Sequence, residues 1–266
     1  VLDNCEHLVE ACADQLRPLL ERCEGLAVLA TSREPFNIPG ERVVRLGALS
    51  LPAPHAATLD ELEGAEAVKL FVERASDALP GFKLTPQVAA EVAHICRVQE
   101  GLPLALELAA VWARPNGSLG EIAVALERSR LRLEGLRGVG ARHKTLWATC
   151  DWSYQLLDPE ERRMFRLLAI FDGGFTVERA LQVLEPEHTS IGDIGLHLLT
   201  LARKSLCHVA DQRGEFTRYR MLEMLKDFGR ETLAAEGELE EVGRRHLAYF
   251  TKYLAEAQQA LARGNI

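Results

Sequence analysis

Val1-Leu2-Asp3-Asn4 and Leu26-Ala27-Val28-Leu29-Ala30 are two apolar runs on either side of a predicted helix, from Glu6 to about Cys23. Polar residues end both runs: Asp3 and Asn4 in the first, and Thr31-Ser32-Arg33 in the second. Strands that are buried on both faces are apolar throughout, and strand, helix, strand is the crossover unit of a parallel sheet. The opening stretch therefore predicts an α/β segment.

The polar residues follow strand ends, where open parallel sheets bind their ligands. A carboxylate such as Asp3 is suited to holding Mg²⁺ beside a phosphate, directly or through water. The guanidinium of Arg33 is suited to a terminal phosphate. The alternative is that Asp3 caps the following helix and Arg33 is a solvated turn residue, since short motifs of this kind are only hypotheses.

Val1-Leu2-Asp3-Asn4-Cys5-Glu6-His7 resembles the Walker B stretch of the NB-ARC (STAND) signal-transduction ATPases, and in particular that of large bacterial transcriptional regulators of the LuxR and SARP kinds. Thr31-Ser32-Arg33-Glu34 resembles their sensor 1. The resemblance implies catalytic roles for Asp3 and Asn4, with Asp3 as the metal ligand. It implies nucleotide-binding roles for Thr31, Ser32 and Arg33. Asn4 stands where the family often has an acid, which favours a slow switch over rapid hydrolysis.

The phosphate-binding loop of that family, G-x-x-x-x-G-K-S/T, does not occur in the 266 residues. We expect it upstream, and so we expect the chain to be a fragment of a longer protein. The cofactors that the resemblance implies, ATP or ADP with Mg²⁺, require that loop. Because the loop supplies most contacts to the phosphates, the fragment alone is predicted to be inactive as an ATPase.

Glu100-Gly101-Leu102-Pro103-Leu104-Ala105-Leu106 is the second distinctive stretch. Glycine ends one helix and proline begins the next, which predicts a tight corner between two helices. The stretch resembles the GLPLAL motif of the same family, whose proline packs on the nucleotide base. That resemblance implies nucleotide-binding roles for Gly101, Leu102 and Pro103. The alternative is a corner that only packs inside a small bundle.

Apolar periodicity predicts further helices over 66–79, from Thr85, and over 119–131. Together with the corner they predict a four-helix bundle. The basic stretch from Arg128 to Lys144 contains three glycines and is interpreted as a solvated linker, with a nucleic-acid contact as the alternative.

Over 205–210 and 216–221, apolar residues recur at every second position, which predicts a β-hairpin around a polar turn. Three stretches carry a resemblance of residues 146–229 to the winged-helix domain of the same family: Trp152-Ser153-Tyr154, Asp158-Pro159-Glu160-Glu161 and Phe171-Asp172-Gly173-Gly174-Phe175-Thr176. The predicted helix over 191–202 carries few polar or basic residues for reading DNA. In the family this domain instead packs on the nucleotide through a Met-His-Asp triplet. The matching residues here are Met221-Leu222-Glu223, so Glu223 is the candidate contact, and a helix cap is its alternative role.

The fold class is therefore predicted to be mainly α with a residual α/β part. Residues 1–51 are assigned to the C-terminal part of a P-loop NTPase domain, with a truncated parallel sheet that includes a third strand over Arg42–Leu46. Residues 52–140 form the helical, ARC-like bundle, and 141–235 the winged helix. Residues 236–266 are C-terminal helices that begin a helical, TPR-like region.

The composition is that of an ordinary soluble globular protein, with 47% hydrophobic and 26% charged residues and a net charge of −8. The acidic balance does not favour wholesale binding of nucleic acid. No apolar run approaches the length of a membrane-spanning helix. The six cysteines include no C-x-x-C pair, which disfavours zinc, and most of them lie in apolar periodic segments, which favours buried free thiols in a reducing cytoplasm.

The leading hypothesis is a nucleotide-dependent (ATP/ADP) switch module of a multidomain bacterial transcriptional regulator. Its predicted partners are an adenine nucleotide, other domains of the same protein and, depending on nucleotide, further copies of itself. DNA is expected only through a separate effector domain, and no membrane is expected. One alternative is a non-catalytic interaction scaffold with a DNA-binding winged helix. Another is a degenerate relative that no longer binds nucleotide.

Overall fold

The computed structural model describes residues 1–32, 34–53, 58–113, 118–133, 141–184, 191–211 and 217–263. Its contacts divide the chain into an N-terminal unit, Val1–Gly47, and a C-terminal unit, Ala48–Ile266. Among the described helices, none combines the length and the apolar character needed to cross a membrane.

The N-terminal unit contains a 3₁₀ turn over Cys5–His7 and helix α1 over Val9–Arg22. Leu2 and Ala30 form an isolated parallel bridge. Leu2 N donates to the Leu29 carbonyl at 2.9 Å, and Thr31 N donates to the Leu2 carbonyl at 3.0 Å. A small core covers the inner face of α1 and consists of Ala13, Leu16 and Ile38, with Leu2, Leu20, Val28 and Phe36 packed against it.

The predicted third strand over Arg42–Leu46 is wrong. The structure assigns no strand to these residues, and their described backbone makes no ladder hydrogen bonds. Val44 is 73% exposed and Leu46 is 87% exposed. A strand needs a neighbour for its amides and carbonyls, and apolar β-branched residues do not supply one. In the described residues, the parallel part of the fold is the single bridge.

The C-terminal unit is mainly helical, as predicted. Its helices are α2 (Leu59–Glu63), α3 (Glu66–Ala78), α4 (Ala89–Val98), α5 (Pro103–Ala110), α6 (Leu119–Leu133), α7 (Ala141–Gln155), α8 (Pro159–Leu168), α9 (Val177–Leu184), α10 (Ile191–Arg203), α11 (Glu223–Ala235) and α12 (Leu239–Ala262). Its strands are β1 (His208–Asp211) and β2 (Arg218–Arg220).

Local sequence signals account for several helix boundaries. Asp158 and Glu161 form a reciprocal capping box at the start of α8, where Pro159 needs no amide partner. Gly237, at φ +73°, separates α11 from α12. Helix α4 begins four residues after the predicted Thr85 cap, because a hydrogen-bonded turn comes first. Helices α6 and α7 extend from both sides into the stretch predicted as a basic linker, and residues 134–140 of that stretch lie outside the described residues.

Helices α5 and α7 lie between two apolar clusters of the C-terminal unit. Leu106 belongs to the cluster that α3, α4 and α6 share, whereas Leu108 belongs to the cluster of α8 to α11. On α7, Trp152 packs in the first cluster and Tyr154 in the second. Apart from Glu107, α5 is apolar on all sides, as expected of a helix that packs against two clusters.

The two strands form an antiparallel ladder in which His208 is opposite Arg220 and Val209 is opposite Tyr219. Phe175 bridges Tyr219, with backbone hydrogen bonds of 2.9 and 2.8 Å. The hairpin over 205–221 is thus confirmed as an antiparallel pair. Its predicted polar turn lies outside the described residues. The assignment of residues 141–235 to a winged helix, like the other domain bounds, stays a prediction.

Candidate functional site

The structure brings the polar ends of the two bridged segments together. The Thr31 hydroxyl donates to Oδ1 of Asp3 in a short hydrogen bond and accepts from the Asn4 amide at 2.9 Å. The Thr31 carbonyl accepts from the Cys5 amide at 3.0 Å. Asp3, Asn4 and Thr31 are all exposed. A single threonine therefore fixes the turn that follows the first segment and orients the Asp3 carboxylate; we call this group the Asp3–Thr31 cluster.

Asn4 turns the chain out of the bridge. Its backbone is left-handed, at φ 59° and ψ 49°, a conformation that asparagine tolerates better than most residues. With the side-chain amide nitrogen turned toward Glu6, Asn4 donates to both carboxylate oxygens, at 2.9 and 3.2 Å. The Asn4 side chain is thus directed at the following turn.

Ser32 and Arg33 follow Thr31 in the predicted sensor stretch. The Ser32 hydroxyl accepts from the Glu34 amide at 3.2 Å and is exposed. Arg33 lies outside the described residues, so its predicted contact with a terminal phosphate stays a prediction.

The donor set of the Asp3–Thr31 cluster consists of hard oxygens, the kind that Mg²⁺ prefers. The described residues contain no group of three or more histidine, cysteine, aspartate or glutamate side chains that suits a metal ion. Mg²⁺ is typically held by one or two carboxylates together with water and phosphate oxygens, and not by an all-protein cage. One oriented, exposed carboxylate fits that role if a nucleotide supplies the phosphate oxygens.

The corner between α4 and α5 is tightly built. Glu100 and Gly101 both have positive φ, at 53° and 67°. The Leu49 amide donates to the Gly101 carbonyl at 2.9 Å. A Cβ at Gly101 would lie 2.4 Å from the Leu49 carbonyl oxygen, so only glycine fits. Leu102 is buried, whereas Pro103, the first residue of α5, is exposed and available for contact.

Sequence reasoning missed a buried polar group behind this corner. The Thr149 hydroxyl donates to Oε1 of Gln99 at 3.0 Å, and Gln99 is 1% exposed. The Thr145 hydroxyl donates to Oε1 of Glu100 at 3.2 Å. These contacts join the corner to α7, 45 and 50 residues later in the chain. The available sequence signal was weak, since Gln99 follows an ordinary amphipathic helix.

Glu223 lies at the first position of α11 and pairs with a buried lysine. Nζ of Lys226 is 2.7 Å from Oε2 of Glu223, and the Lys226 side chain is 4% exposed. The same Nζ donates to the Asp172 carbonyl at 3.3 Å. The residue that caps α11, Leu222, makes no side-chain cap hydrogen bond. The described contact of Glu223 is therefore an ion pair within α11.

Helix α10, the candidate DNA-reading helix, presents leucines to solvent. Leu196 is 65% exposed and Leu199 is 52% exposed. The His197 ring is hydrogen-bonded to the Asp193 carbonyl at 2.8 Å. A helix that reads DNA exposes polar and basic side chains toward the groove, and this face does not.

Within each unit, the structure brings predicted site residues together. Asp3, Asn4 and Thr31 are brought together, and Gly101, Leu102 and Pro103 form one corner. The convergence of Asp3, Arg33 and Pro103 on one nucleotide stays a prediction.

Comparison with known proteins relates the chain to bacterial regulators. A Mycobacterium tuberculosis protein provisionally named an HTH-type transcriptional regulator is 40% identical over 256 residues, which are 96% of this chain and 27% of that protein. Regulatory protein AfsR of Streptomyces griseus is 30% identical over 272 residues, which cover 94% of this chain and 25% of AfsR. The chain thus spans about a quarter of the length of these regulators.

A second Mycobacterium tuberculosis protein, named only as uncharacterized, is 34% identical over 267 residues, which are 100% of this chain and 63% of that protein. No protein-family model matches the chain. Taken together, these similarities relate the chain in sequence to a segment of bacterial transcriptional regulators.

Proposed function

We propose that the chain is part of a nucleotide-dependent switch within a transcriptional regulator. The observation that carries the proposal is the Asp3–Thr31 cluster. It joins the ends of two segments that run in parallel, which is where sheets of this kind bind phosphate-containing ligands. The regulatory names of the relatives support the role of the whole protein.

Each residue of the cluster has a role in this proposal. Asp3 contributes a carboxylate to Mg²⁺, directly or through water, and Thr31 holds that carboxylate in one orientation. Asn4 cannot act as a general base, because an amide does not titrate, so turnover is slow. Bound magnesium nucleotide supplies the phosphate charge to which Arg33 responds.

The corner between α4 and α5 supplies the contact to the base. Pro103 is exposed at the start of a helix that is otherwise largely buried. Because the Gly101 carbonyl is tied to the Leu49 amide, the corner presents Pro103 from a rigid backbone. The neighbouring Leu102 side chain is buried and anchors the corner in the apolar core.

Glu223 replaces the acid of the family triplet, while the histidine position is occupied by Leu222. With no imidazole for a phosphate contact, the ion pair of Glu223 with Lys226 holds the start of α11 in place. We infer a switch whose closed state is less tightly tied to the phosphates than in the resembled family.

The partners follow from this assignment. The switch acts on other domains of its own protein and on further copies of itself. DNA is bound through a separate effector domain, which agrees with the leucines that α10 exposes.

The test is nucleotide binding, measured by fluorescence titration with N-methylanthraniloyl ATP and ADP. The protein is the longer natural one that contains this chain, with and without Mg²⁺. Asp3→Ala is compared with Asp14→Ala, which removes an exposed acid of α1 in the same unit. Arg33→Ala is compared with Arg42→Ala. We expect Asp3→Ala to weaken Mg²⁺-dependent binding by about 10–100-fold, as for other supporting groups of metal sites.

If Asp3→Ala and Arg33→Ala bound ATP and ADP as tightly as their controls do, the site assignment would be refuted. Binding by the longer protein, with little or none by the 266-residue chain, is the expected pattern. DNA binding by the isolated chain that weakens steeply with salt would instead favour the scaffold with a DNA-binding winged helix.

A further inference from the structure

Helix α10 is apolar on its outer face as well as on its inner face. Ile194, Leu198 and Leu201 lie in the core and are at most 1% exposed. On the opposite side of the helix, Leu196 is 65% exposed and Leu199 is 52% exposed. A helix at the surface of a protein normally carries polar residues on its outer side, whereas a helix that is apolar on all sides is normally covered. The nucleotide site proposed above uses none of these residues.

The polar side chains beside the two exposed leucines are turned back onto the helix. The Thr200 hydroxyl donates to the Leu196 carbonyl at 3.0 Å, and Nδ1 of His197 is hydrogen-bonded to the Asp193 carbonyl at 2.8 Å. Both bonds lead to the carbonyl four residues earlier, so they occupy the polar groups within the helix itself. The surface around the leucines therefore suits contact with another apolar surface better than contact with phosphates, which need donors that point outward.

The outer side of α10 leaves room for a second helix. Gly192, Gly195, Leu196, Leu199 and Arg203 lie on this side, because they recur at intervals of three or four residues; we call the surface that they form the α10 face. A Cβ at Gly195 would meet nothing within 4 Å. Since the distance between two packed helices depends on the side chains at the contact, glycines allow a close approach.

Charges at the two ends of α10 indicate which surface covers it. Asp193 lies in the first turn and Arg203 is the last residue, and both are exposed. Ten residues of helix separate them by about 15 Å along the axis. An antiparallel copy of α10 brings each Arg203 next to the Asp193 of the other copy, whereas a parallel copy sets like charges against each other. The α10 face is thus complementary to itself in the antiparallel orientation.

We propose that the α10 face is a contact between two copies of this chain, related by a two-fold axis that passes between Leu196 and Leu199. Such a contact is isologous, so Leu196 of each copy packs against Leu199 of the other. Arg203 of each copy extends past Gly192 of the other copy and pairs with its Asp193 carboxylate. The switch proposed above acts on further copies of itself, and this inference names a surface for that action. The contact itself uses no nucleotide, so it does not rest on the nucleotide-binding part of that proposal.

The size of the contact sets its strength. A specific, stable interface buries about 800 Å² on each partner, and a single helix about 20 Å long and about 10 Å wide covers less. We therefore expect a reversible dimer with a dissociation constant on the order of micromolar or weaker. Salt should weaken it further, because the charged pairs lie at the exposed ends of the contact.

Sedimentation of the 266-residue chain without nucleotide, at increasing concentrations up to about 500 µM, measures this equilibrium. We expect monomers and dimers in exchange. Leu196→Gln and Leu199→Gln should each weaken the dimer by about 10–30-fold, as for residues at the centre of an interface. The matched control is Leu247→Gln, which should leave dimerisation unchanged, because Leu247 is 67% exposed but lies on α12.

Charge reversal tests the antiparallel arrangement. Arg203→Asp gives a chain with acids at both ends of α10, and Asp193→Arg gives a chain with bases at both ends. Each variant alone should dimerise more weakly, and an equimolar mixture of the two should restore the association, because every acid then faces a base. In a parallel dimer like charges already face each other, so unchanged dimerisation of both single variants would refute the arrangement.

A glycine pair separates the contact from the fold. Gly195→Arg places a long side chain where the second helix must approach, and Gly243→Arg does the same on α12, where a Cβ also meets nothing within 4 Å. Both variants should keep the far-ultraviolet circular dichroism of the unmodified chain, and only Gly195→Arg should lose the dimer. A monomer at every concentration, or an equal loss in Leu247→Gln or Gly243→Arg, would overturn the proposal. Nucleotide binding by the longer protein is measured separately, so either proposal can fail while the other stands.

Discussion

Replacing Gly101 by alanine tests whether the close backbone approach holds the corner between α4 and α5 together. At φ +67°, an L-residue is strained, and its Cβ would lie 2.4 Å from the Leu49 carbonyl oxygen. Real Cβ atoms do not approach an oxygen this closely, so the backbone of Leu49 or of Gly101 must move. The hydrogen bond from the Leu49 amide to the Gly101 carbonyl is the contact most directly affected.

The expected cost has two parts. The left-handed backbone costs about 1–2 kcal/mol for a residue with a Cβ. Relief of the overlap costs about 1–3 kcal/mol, as for other overpacked sites. The free energy of unfolding of the C-terminal unit should therefore fall by roughly 2–5 kcal/mol.

Urea unfolding, followed by tryptophan fluorescence, measures this cost. Trp112 and Trp152 pack edge to face in the cluster that includes Leu106 of α5, so their emission reports on this region. The matched control is Gly81→Ala in the same unit. Gly81 also has a positive φ, +93°, but a Cβ there would meet nothing within 4 Å. The free energy of unfolding of the control should fall only by the conformational part of the cost, about 1–2 kcal/mol.

The difference between the two variants isolates the overlap. If Gly101→Ala were no more destabilising than Gly81→Ala, the tight approach between Leu49 and Gly101 would not stabilise the corner. The view that this corner presents Pro103 from a rigid backbone would then be wrong.

Three further predictions concern ionic and polar contacts. Thr31→Val should destabilise the N-terminal unit by about 0.5–1.5 kcal/mol and speed hydrogen exchange at the Asn4 amide, because the Thr31 hydroxyl is its acceptor; an unchanged exchange rate would contradict this. Glu223→Gln should destabilise the C-terminal unit by about 1–3 kcal/mol in urea, and by more than Lys226→Met, because it leaves the buried Lys226 ammonium with only the more distant, exposed Asp172 carboxylate at 3.8 Å; the reverse order would refute the reasoning. Hydrogen bonds from Arg166, at 2.6 and 3.1 Å, lower the pKa of Glu238. The contribution of the Glu238–Arg166 pair to the free energy of unfolding is therefore present above the unfolded pKa of about 4.3, and it is lost as pH falls through the lower pKa of the folded state. The stability gap between the unmodified sequence and Glu238→Gln, on the order of 1 kcal/mol, should be constant above about pH 5 and close in more acidic solution.

Local patterns in the sequence account for much of the fold. The capping box at Asp158 and Glu161 and the break at Gly237 lie within a few residues of the helix boundaries that they signal. Such signals are readable because the groups that satisfy a helix terminus come from the same short stretch. The hairpin over 205–221 was readable for the same reason, since its partners adjoin each other in sequence.

The wrong strand prediction and the contacts that were not predicted all depend on partners far away in the sequence. The Arg42–Leu46 stretch resembles a strand in composition, but no described neighbour pairs with it. The contact of Gln99 with Thr149 spans 50 residues, and the one between Lys226 and the Asp172 carbonyl spans 54. A polar side chain in an amphipathic helix does not reveal whether its partner will be water or another helix.

The amino-acid sequence alone determined the helical character of the chain, the corner at Gly101 and Pro103, and the polar endings at Asp3 and Thr31. Each depends on backbone preferences and on side chains close together along the chain. Only the tertiary structure decided that one threonine hydroxyl would orient the Asp3 carboxylate and that Lys226 would be buried against Glu223. These outcomes depend on how segments pack in space, because burial and hydrogen-bond satisfaction are properties of the assembled chain.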